Sequence, residues 1–344
     1  MTDSGVPTGG LEMGGGEPGS SGGGGGPGWR GWAVYLGMSW TWCIGMFLPA
    51  LLWRDFGIRS FVVFAIPNVV GAALLGVVMR TPEASRAFIE RHRVACVAFS
   101  VVTVAFQVFF AAWVARWMGA ASGASVGARV GAGGLAWHAG WIACVLGLLV
   151  GGGRKWGAVV GGVVWLVSLA TIVVTVARSA QAGALDELTS WPGSRALDEL
   201  APLALVCLLG FGLCPYLDLT FHRARIESGN SSGRAFGAGF GLVFASMIVG
   251  TVLTAPVLLF LVGAGVEGVD LRPLLAPLLV LHTLPQLVYT CWVQAGELRK
   301  RERPVAVVCA LGAGLGVALL DGGVLMSRYG GLYAPEVLYR LFMG

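Results

Sequence analysis

Apolar and polar positions do not alternate along this chain. The apolar ones come in long runs, at about 32–53, 61–79, 94–117, 132–151, 157–177, 202–221, 236–264, 274–295 and 304–326. Each run approaches or exceeds the roughly 20 residues that a helix needs to cross about 30 Å of hydrocarbon. Inside lipid, every backbone N–H and C=O must be bonded within the protein, which leaves helices or a closed barrel. These runs lack the apolar–polar alternation of barrel strands. The pattern predicts an all-α polytopic membrane protein of about nine transmembrane helices. Ahead of the first run, residues 1–31 hold 14 Gly and three Pro with little to bury. They read as a disordered Gly-rich tail. They lack the basic start and apolar core of a signal peptide. Residues 32–344 form the membrane domain.

Composition agrees with the pattern. Hydrophobic residues make up 56% and charged ones 12%, against about 25% charged in soluble domains. Mean hydropathy is +0.77, and no stretch remains for a separate soluble domain. The net charge of +5 does not point to nucleic acid, because the basic residues are spread between the apolar runs. Their distribution sets the topology instead. The tail and the loops after even-numbered spans carry 14 Arg and Lys, among them Arg80, Arg86, Arg91, Arg93, Arg154, Lys155 and Arg299 to Arg303. The other side carries 9, matched by as many acidic residues. The expectation is a cytoplasmic N-terminus in an inner or plasma membrane, with the long loop 178–201 outside. That loop repeats Ala-Leu-Asp-Glu-Leu at 184–188 and 196–200. It predicts two short amphipathic turns with solvated acidic ends, or an acidic vestibule.

Enzyme chemistry finds little footing. Gly123-Ala-Ser125-Val-Gly127 matches G-x-S-x-G, but it lies in a Gly/Ala-rich connector without the strand and helix that lift a nucleophilic serine. No Walker loop, H-E-x-x-H or CxxC occurs, and the seven Cys sit almost wholly in apolar runs, where they read as small hydrophobes. Neither an enzyme nor a bound metal is expected. The pairs Gly157–Gly161, Gly237–Gly241 and Gly312–Gly316 are spaced for close helix packing.

Two spans carry interruptions. Span 1 reads Ser39-Trp40-Thr-Trp42-Cys-Ile-Gly45-Met-Phe-Leu-Pro49. Span 6 reads Gly210-Phe211-Gly212-Leu-Cys-Pro215-Tyr-Leu-Asp218. Proline removes a backbone bond and clashes with the preceding turn, so both spans are expected to break, at Gly45–Pro49 and Gly210–Pro215. Broken helices in matching positions of two halves point to a transport site. Five spans separate them, and a unit of odd length repeats upside down. "SWTWCIGMFLPALLWRDFG" with "FAIPNVVGAALLG", and "LGFGLCPYLDLTFHRAR" ahead of a Gly-rich seventh span, resemble the sodium:solute symporters. More broadly they resemble the leucine-transporter fold of the amino acid–polyamine–organocation superfamily, over residues 32–265. The resemblance implies inverted five-helix halves (32–177 and 202–344), a solute site between the two breaks, and coupling to sodium or a proton without another cofactor. It also implies ten core helices, and the chain stops at Leu341-Phe-Met-Gly344 where a tenth would begin, so a lost tenth helix or a fragment is expected.

Span 8 adds a polar stripe: His282, Gln286, Thr290 and Gln294 at i+4 steps, with Thr283 alongside. Such residues should face protein or a cavity rather than lipid. Interhelical bonding and a lining of the solute path are both open. Asp218 is either a coupling group or one half of an ion pair with His222, Arg223 or Arg225. Asn68 and Gln107 read as helix–helix hydrogen-bonding groups, and Asp321 as a helix end. The solute site is thus expected to use Trp40, Trp42, Gly45, Pro49, Gly210, Phe211, Gly212, Pro215, His282 and Gln286, with Asp218, Thr283 and Thr290 for coupling. The leading function is a secondary transporter-like protein moving a small solute across the bilayer. The alternative is a non-transporting scaffold, sensor or assembly protein that keeps such a fold. The topology has a direct check. A single cysteine placed at Ser190 in a cysteine-free background should react with impermeant maleimide from the outside. Reaction from the cytoplasmic side alone would reverse the assignment.

Overall fold

The structure is a computed structural model. It describes residues 27–41, 43–121, 132–152, 156–181, 183–256, 272–319, 327–329 and 332–343. Among the described residues the chain is almost entirely helical. Its only strands are the two-residue pair Arg328–Tyr329 and Leu332–Tyr333. Five helical stretches are long and apolar enough to cross a membrane: Ser60–Val78, Arg93–Ala115, Gly157–Gln181, Leu200–Leu217 and Leu219–Leu253. The bent pair Trp29–Ser39 and Ile44–Phe56 makes a sixth if counted as one span. This is an all-α membrane protein. Its lipid face is explicit on the helix Ser60–Val78 (α3), where Val62, Ile66, Val70 and Leu74 are exposed at four-residue steps. Phe64, Asn68, Ala72 and Leu75 are buried on the opposite side. Both faces are largely apolar, as a helix between protein and lipid requires.

The first span is two helices, α1 (Trp29–Ser39) and α2 (Cys43–Phe56), bent by 53°. The break does not fall at Gly45–Pro49. Both residues lie inside α2, and α1 ends at Ser39 instead. The cause is hydroxyl competition with the backbone. Ser39 Oγ donates to the Leu36 carbonyl at 3.0 Å and Thr41 Oγ1 to the Met38 carbonyl at 2.8 Å. Pro49 lies inside α2, where it gives up the ladder bond to the Gly45 carbonyl without ending the helix.

After α3, Thr81 caps α4 (Pro82–Arg91): its hydroxyl accepts from the Ala84 N–H at 3.2 Å, with proline in the first turn. Then come α5 (Arg93–Ala121), α6 (Ala132–Val150), α7 (Gly157–Gln181) and α8 (Ala184–Ser190). Next come α9 (Leu200–Leu213), a tight turn over Cys214–Leu217, and α10 (Leu219–Ser228), which opens the stretch Leu219–Leu253. That stretch continues with α11 (Ser232–Ala238), a widened π turn over Gly239–Phe244, and α12 (Ala245–Leu253). The chain ends with α13 (Arg272–Glu297), α14 (Arg303–Leu319) and α15 (Ala334–Met343). Helices α5, α6, α13 and α14 pack on one another. A second group joins α1, α3, α9 and the α11–α12 segment, and α7 bridges α1 and α13.

Loop 178–201 folds onto the end of α2. Trp53 Nε1 donates to the Leu188 carbonyl, and Trp191 Nε1 to the Arg54 carbonyl, both at 2.9 Å. Asp186, Asp198 and Glu199 stay exposed, so these three acids are solvated. At the same end α15 is held by charge. Arg340 meets Asp55 at 2.6 Å and Arg54 meets Glu336 at 2.5 Å, while Tyr339 is fully buried against Phe47, Phe106, Phe110 and Trp113. At the opposite end Arg93 pairs with Glu302 between α13 and α14. Burial pushes the Glu302 carboxyl up, but the Arg93 hydrogen bond and charge outweigh it and the net direction is down.

Glycine decides where backbones touch, though not at all the expected pairs. A Cβ on Gly157 would meet the Tyr35 ring at 2.9 Å and one on Gly161 the Tyr289 hydroxyl at 2.8 Å. Gly237, Gly241, Gly312 and Gly316 have open space instead. One close backbone crossing lies outside the expected pairs. A Cβ on Gly37 would lie 2.6 Å from Val243 Cβ and 2.7 Å from the Gly239 carbonyl, and one on Gly239 would lie 2.8 Å from the Ala33 carbonyl. Here α1 rides directly on the π turn. Gly37→Ala should therefore cost about 1–3 kcal/mol, as overpacking does. Gly241→Ala should change stability by less than about 1 kcal/mol. Thermal unfolding of both variants in the same detergent checks the contrast.

Candidate functional site

The two interrupted spans face each other across a cavity of about 240 Å³. The first break contributes Trp40, and the start of α2 adds Ile44, Gly45 and Leu48. Asn68 comes from α3, Phe99 and Val102 from α5, and Cys207, Gly210 and Phe211 from α9. Helix starts and stops explain the shape. Trp40 closes α1, and the residues after it set off at a new angle in α2. A side chain at Gly210 would have open space beside it, whereas one at Gly45 would meet the Phe244 ring at 3.2 Å. Trp40 is fixed on two sides. Its Nε1 donates to Asn68 Oδ1 at 2.5 Å, and its ring lies 5.0 Å from that of Phe221.

The second break falls later than the glycines suggest. Gly210 and Gly212 are helical in α9, and Pro215 begins the tight turn. The chain becomes extended only at Asp218, with ψ 114°. Asp218 then caps α10. Its Oδ1 accepts from the Thr220 N–H at 2.8 Å and the Thr220 hydroxyl at 2.7 Å. Gln294 Nε2 of α13 donates to both carboxylate oxygens at 3.1 Å. Gln294 Oε1 accepts from Ser100 of α5 at 2.8 Å, and the Thr220 hydroxyl lies 3.3 Å from Ser39 Oγ of α1. Asp218, Thr220, Gln294, Ser100 and Ser39 are all fully buried. One polar cluster thus joins α1, α5, α10 and α13.

The alternative of an ion pair is corrected. Among the described residues no cation pairs with Asp218. His222 Nε2 meets the Tyr216 carbonyl at 2.8 Å. Arg223 pairs with Glu297 at 2.9 Å and Glu227 at 3.0 Å. Arg225 donates to the carbonyls of Met79 and Arg80 and, at 3.1 Å, of Gly229. Each is drawn to the backbone or to other acids, leaving Asp218 to neutral donors.

The expected site residues divide accordingly. Trp40, Gly45, Gly210 and Phe211 share the cavity. Pro49, Gly212 and Pro215 are close in sequence but do not line it, and Trp42 lies outside the described residues, as does Asp321. The span 8 stripe is buried, yet it does not reach the cavity. Gln286 donates to Ser168 of α7 at 3.0 Å and to the His282 carbonyl, and Ser168 donates to that carbonyl at 3.3 Å. Thr283 donates to the Leu279 carbonyl at 2.6 Å, while Thr290 Oγ1 and Gln286 Oε1 have no partner. Only Gln294 reaches Asp218. Ser39, Ser100 and Thr220 are the members that sequence reasoning missed. Asp218-Leu-Thr220 is a capping pattern, and it was the available signal for one of them.

Among the described residues no group of His, Cys, Asp and Glu could hold a metal ion. A scan of protein-family models, a search of curated proteins and a search of solved structures each return no match. The site therefore stands on its own geometry. Gln294→Leu removes the bridge between Asp218 and Ser100 and leaves both short of a partner. Unsatisfied buried groups cost about 1–3 kcal/mol each, so the variant should unfold at clearly lower denaturant than Gln286→Leu, which leaves the carboxylate untouched. Equilibrium unfolding of the two side by side measures this.

Proposed function

We propose that the protein is a secondary transporter-like carrier of a small solute, similar in plan to the sodium:solute symporters. On this reading the membrane is crossed nine times by two inverted halves, with α1–α2 and α9–α10 as equivalent broken helices. The grouping of α1, α3, α9 and the α11–α12 segment against α5, α6, α13 and α14 supports the plan. The observation that carries the function is a cavity bounded by both interrupted spans, with a buried carboxylate at the second break. Discontinuous backbone at membrane depth survives where protein or a cavity covers it, and carriers place solute sites at such points. Asp218 is the coupling group, because a buried carboxylate without a cation partner is favourably neutralised by a proton or a cation. A scaffold that keeps the fold without transport is the second reading, favoured by the hydrogen bonds that satisfy much of the span 8 stripe within the protein.

Uptake into proteoliposomes separates the two. With a proton or sodium gradient imposed, the wild-type protein should accumulate a solute from a panel of amino acids, nucleobases and small aromatics. Asp218→Asn should abolish accumulation while leaving solute exchange partly intact. Accumulation that survives Asp218→Asn removes Asp218 from coupling. The absence of any uptake by folded wild-type protein favours the scaffold.

A further inference from the structure

The cavity is uniform in character. Its lining is aliphatic, aromatic, glycine or thiol apart from Trp40 and Asn68, and it contains no charged side chain. Asn68 is 1% exposed. The two ends of its amide are not equivalent. Trp40 Nε1 can only donate, so the atom it meets must be the carbonyl oxygen. That assignment leaves the amide nitrogen, with two N–H donors, as the free end. Among the described residues nothing accepts from it, and the open space beside the residue is the cavity it lines. A donor that meets only apolar space is costly to leave without a partner, and here the ligand can supply what the protein does not.

Size narrows the ligand further. A cavity of about 150 Å³ takes benzene. By that yardstick 240 Å³ admits about ten non-hydrogen atoms. An ion in such apolar surroundings would lose its hydration without compensation. We propose that the cavity binds a small, neutral, largely apolar molecule bearing one hydrogen-bond acceptor, such as an aromatic ketone or amide, with the acceptor on Asn68 Nδ2. The proposal rests on reading this cavity as the solute site, and it names the class of solute.

Equilibrium dialysis against protein in lipid nanodiscs tests it, with empty nanodiscs as the baseline for partitioning. The probes are acetophenone, ethylbenzene and protonated 1-phenylethylamine, which share a ring and differ at one position. Acetophenone should bind about tenfold more tightly than ethylbenzene, and the ammonium should not bind. Asn68→Leu should erase the preference for the ketone while ethylbenzene still binds. Asn68→Asp keeps an acceptor for Trp40 and, once raised pH has ionised its carboxyl, offers no donor, so in that form it should lose the ketone and admit the ammonium. Gly210→Leu, at a position with open space beside it, should exclude all three. Equal binding of ketone and hydrocarbon by the wild type, a preference that survives both Asn68 variants, or unaltered binding in Gly210→Leu would overturn the proposal. Because dialysis needs no gradient, the two readings fail separately. Binding without uptake removes transport and keeps the ligand class. Uptake of other solutes with no ketone binding does the reverse.

Discussion

The fully buried carboxylate of Asp218 must be satisfied from within the protein, and the polar cluster of α1, α5, α10 and α13 is arranged around that need. Thr220 and Gln294 supply its donors, Ser100 holds Gln294 in place, and Thr220 reaches Ser39. An ionised or polar group left alone in an apolar interior costs several kcal/mol, so each member constrains the next. The result ties the end of α1 to α10, α13 and α5, which come from both packing groups. The break at the end of α1 and the extended residue at Asp218 are the backbone side of the same arrangement. A continuous helix through either point would carry Ser39 or Asp218 away from its partners.

Charge outside this cluster is handled differently. Arg223 lies over the rings of Trp32 and Tyr35 and pairs with Glu297, while Arg225 is spent on carbonyls at the end of α3. Arg54, Asp55, Glu336 and Arg340 form a network in which each cation meets an acid. Ion pairs thus gather near the ends of the spans, and neutral hydrogen bonds occupy the middle. This division follows from the lower cost of desolvating a charge near the membrane surface.

Helices and their apolar character were legible because the runs are long and carry few charges. The presence of breaks in spans 1 and 6 was legible too, yet their positions were displaced. Proline was the visible sign, and it pointed to Pro49, whereas the hydroxyls of Ser39 and Thr41 end α1. A side chain that bonds its own backbone leaves no periodic trace. Part of the cavity was legible through Trp40, Gly45, Gly210 and Phe211, which lie in the interrupted stretches. The partners of Asp218 were not, because Ser100, Thr220 and Gln294 are brought together by tertiary crossings. The His282 and Gln286 end of the stripe shows the converse. Its spacing announced a polar face but could not say that Ser168 of α7, and not the cavity, lies opposite.

The crossing of α1 over the π turn has a mechanical side. At Gly37 and Gly239 two backbones touch with no side chain between them. A point contact of this kind resists sliding apart far more than it resists tilting. It therefore acts as a fulcrum placed off-centre on α1. Trp29 lies eight residues away, about 12 Å at 1.5 Å per residue, while Trp40 is only three residues off on the other side. A tilt of about 10° would swing the Trp29 end by about 2 Å and move Trp40 by less than about 1 Å. On the long arm the contacts of Trp32 and Tyr35 with Arg223 oppose such a tilt, while the short arm keeps Trp40 in register with Asn68.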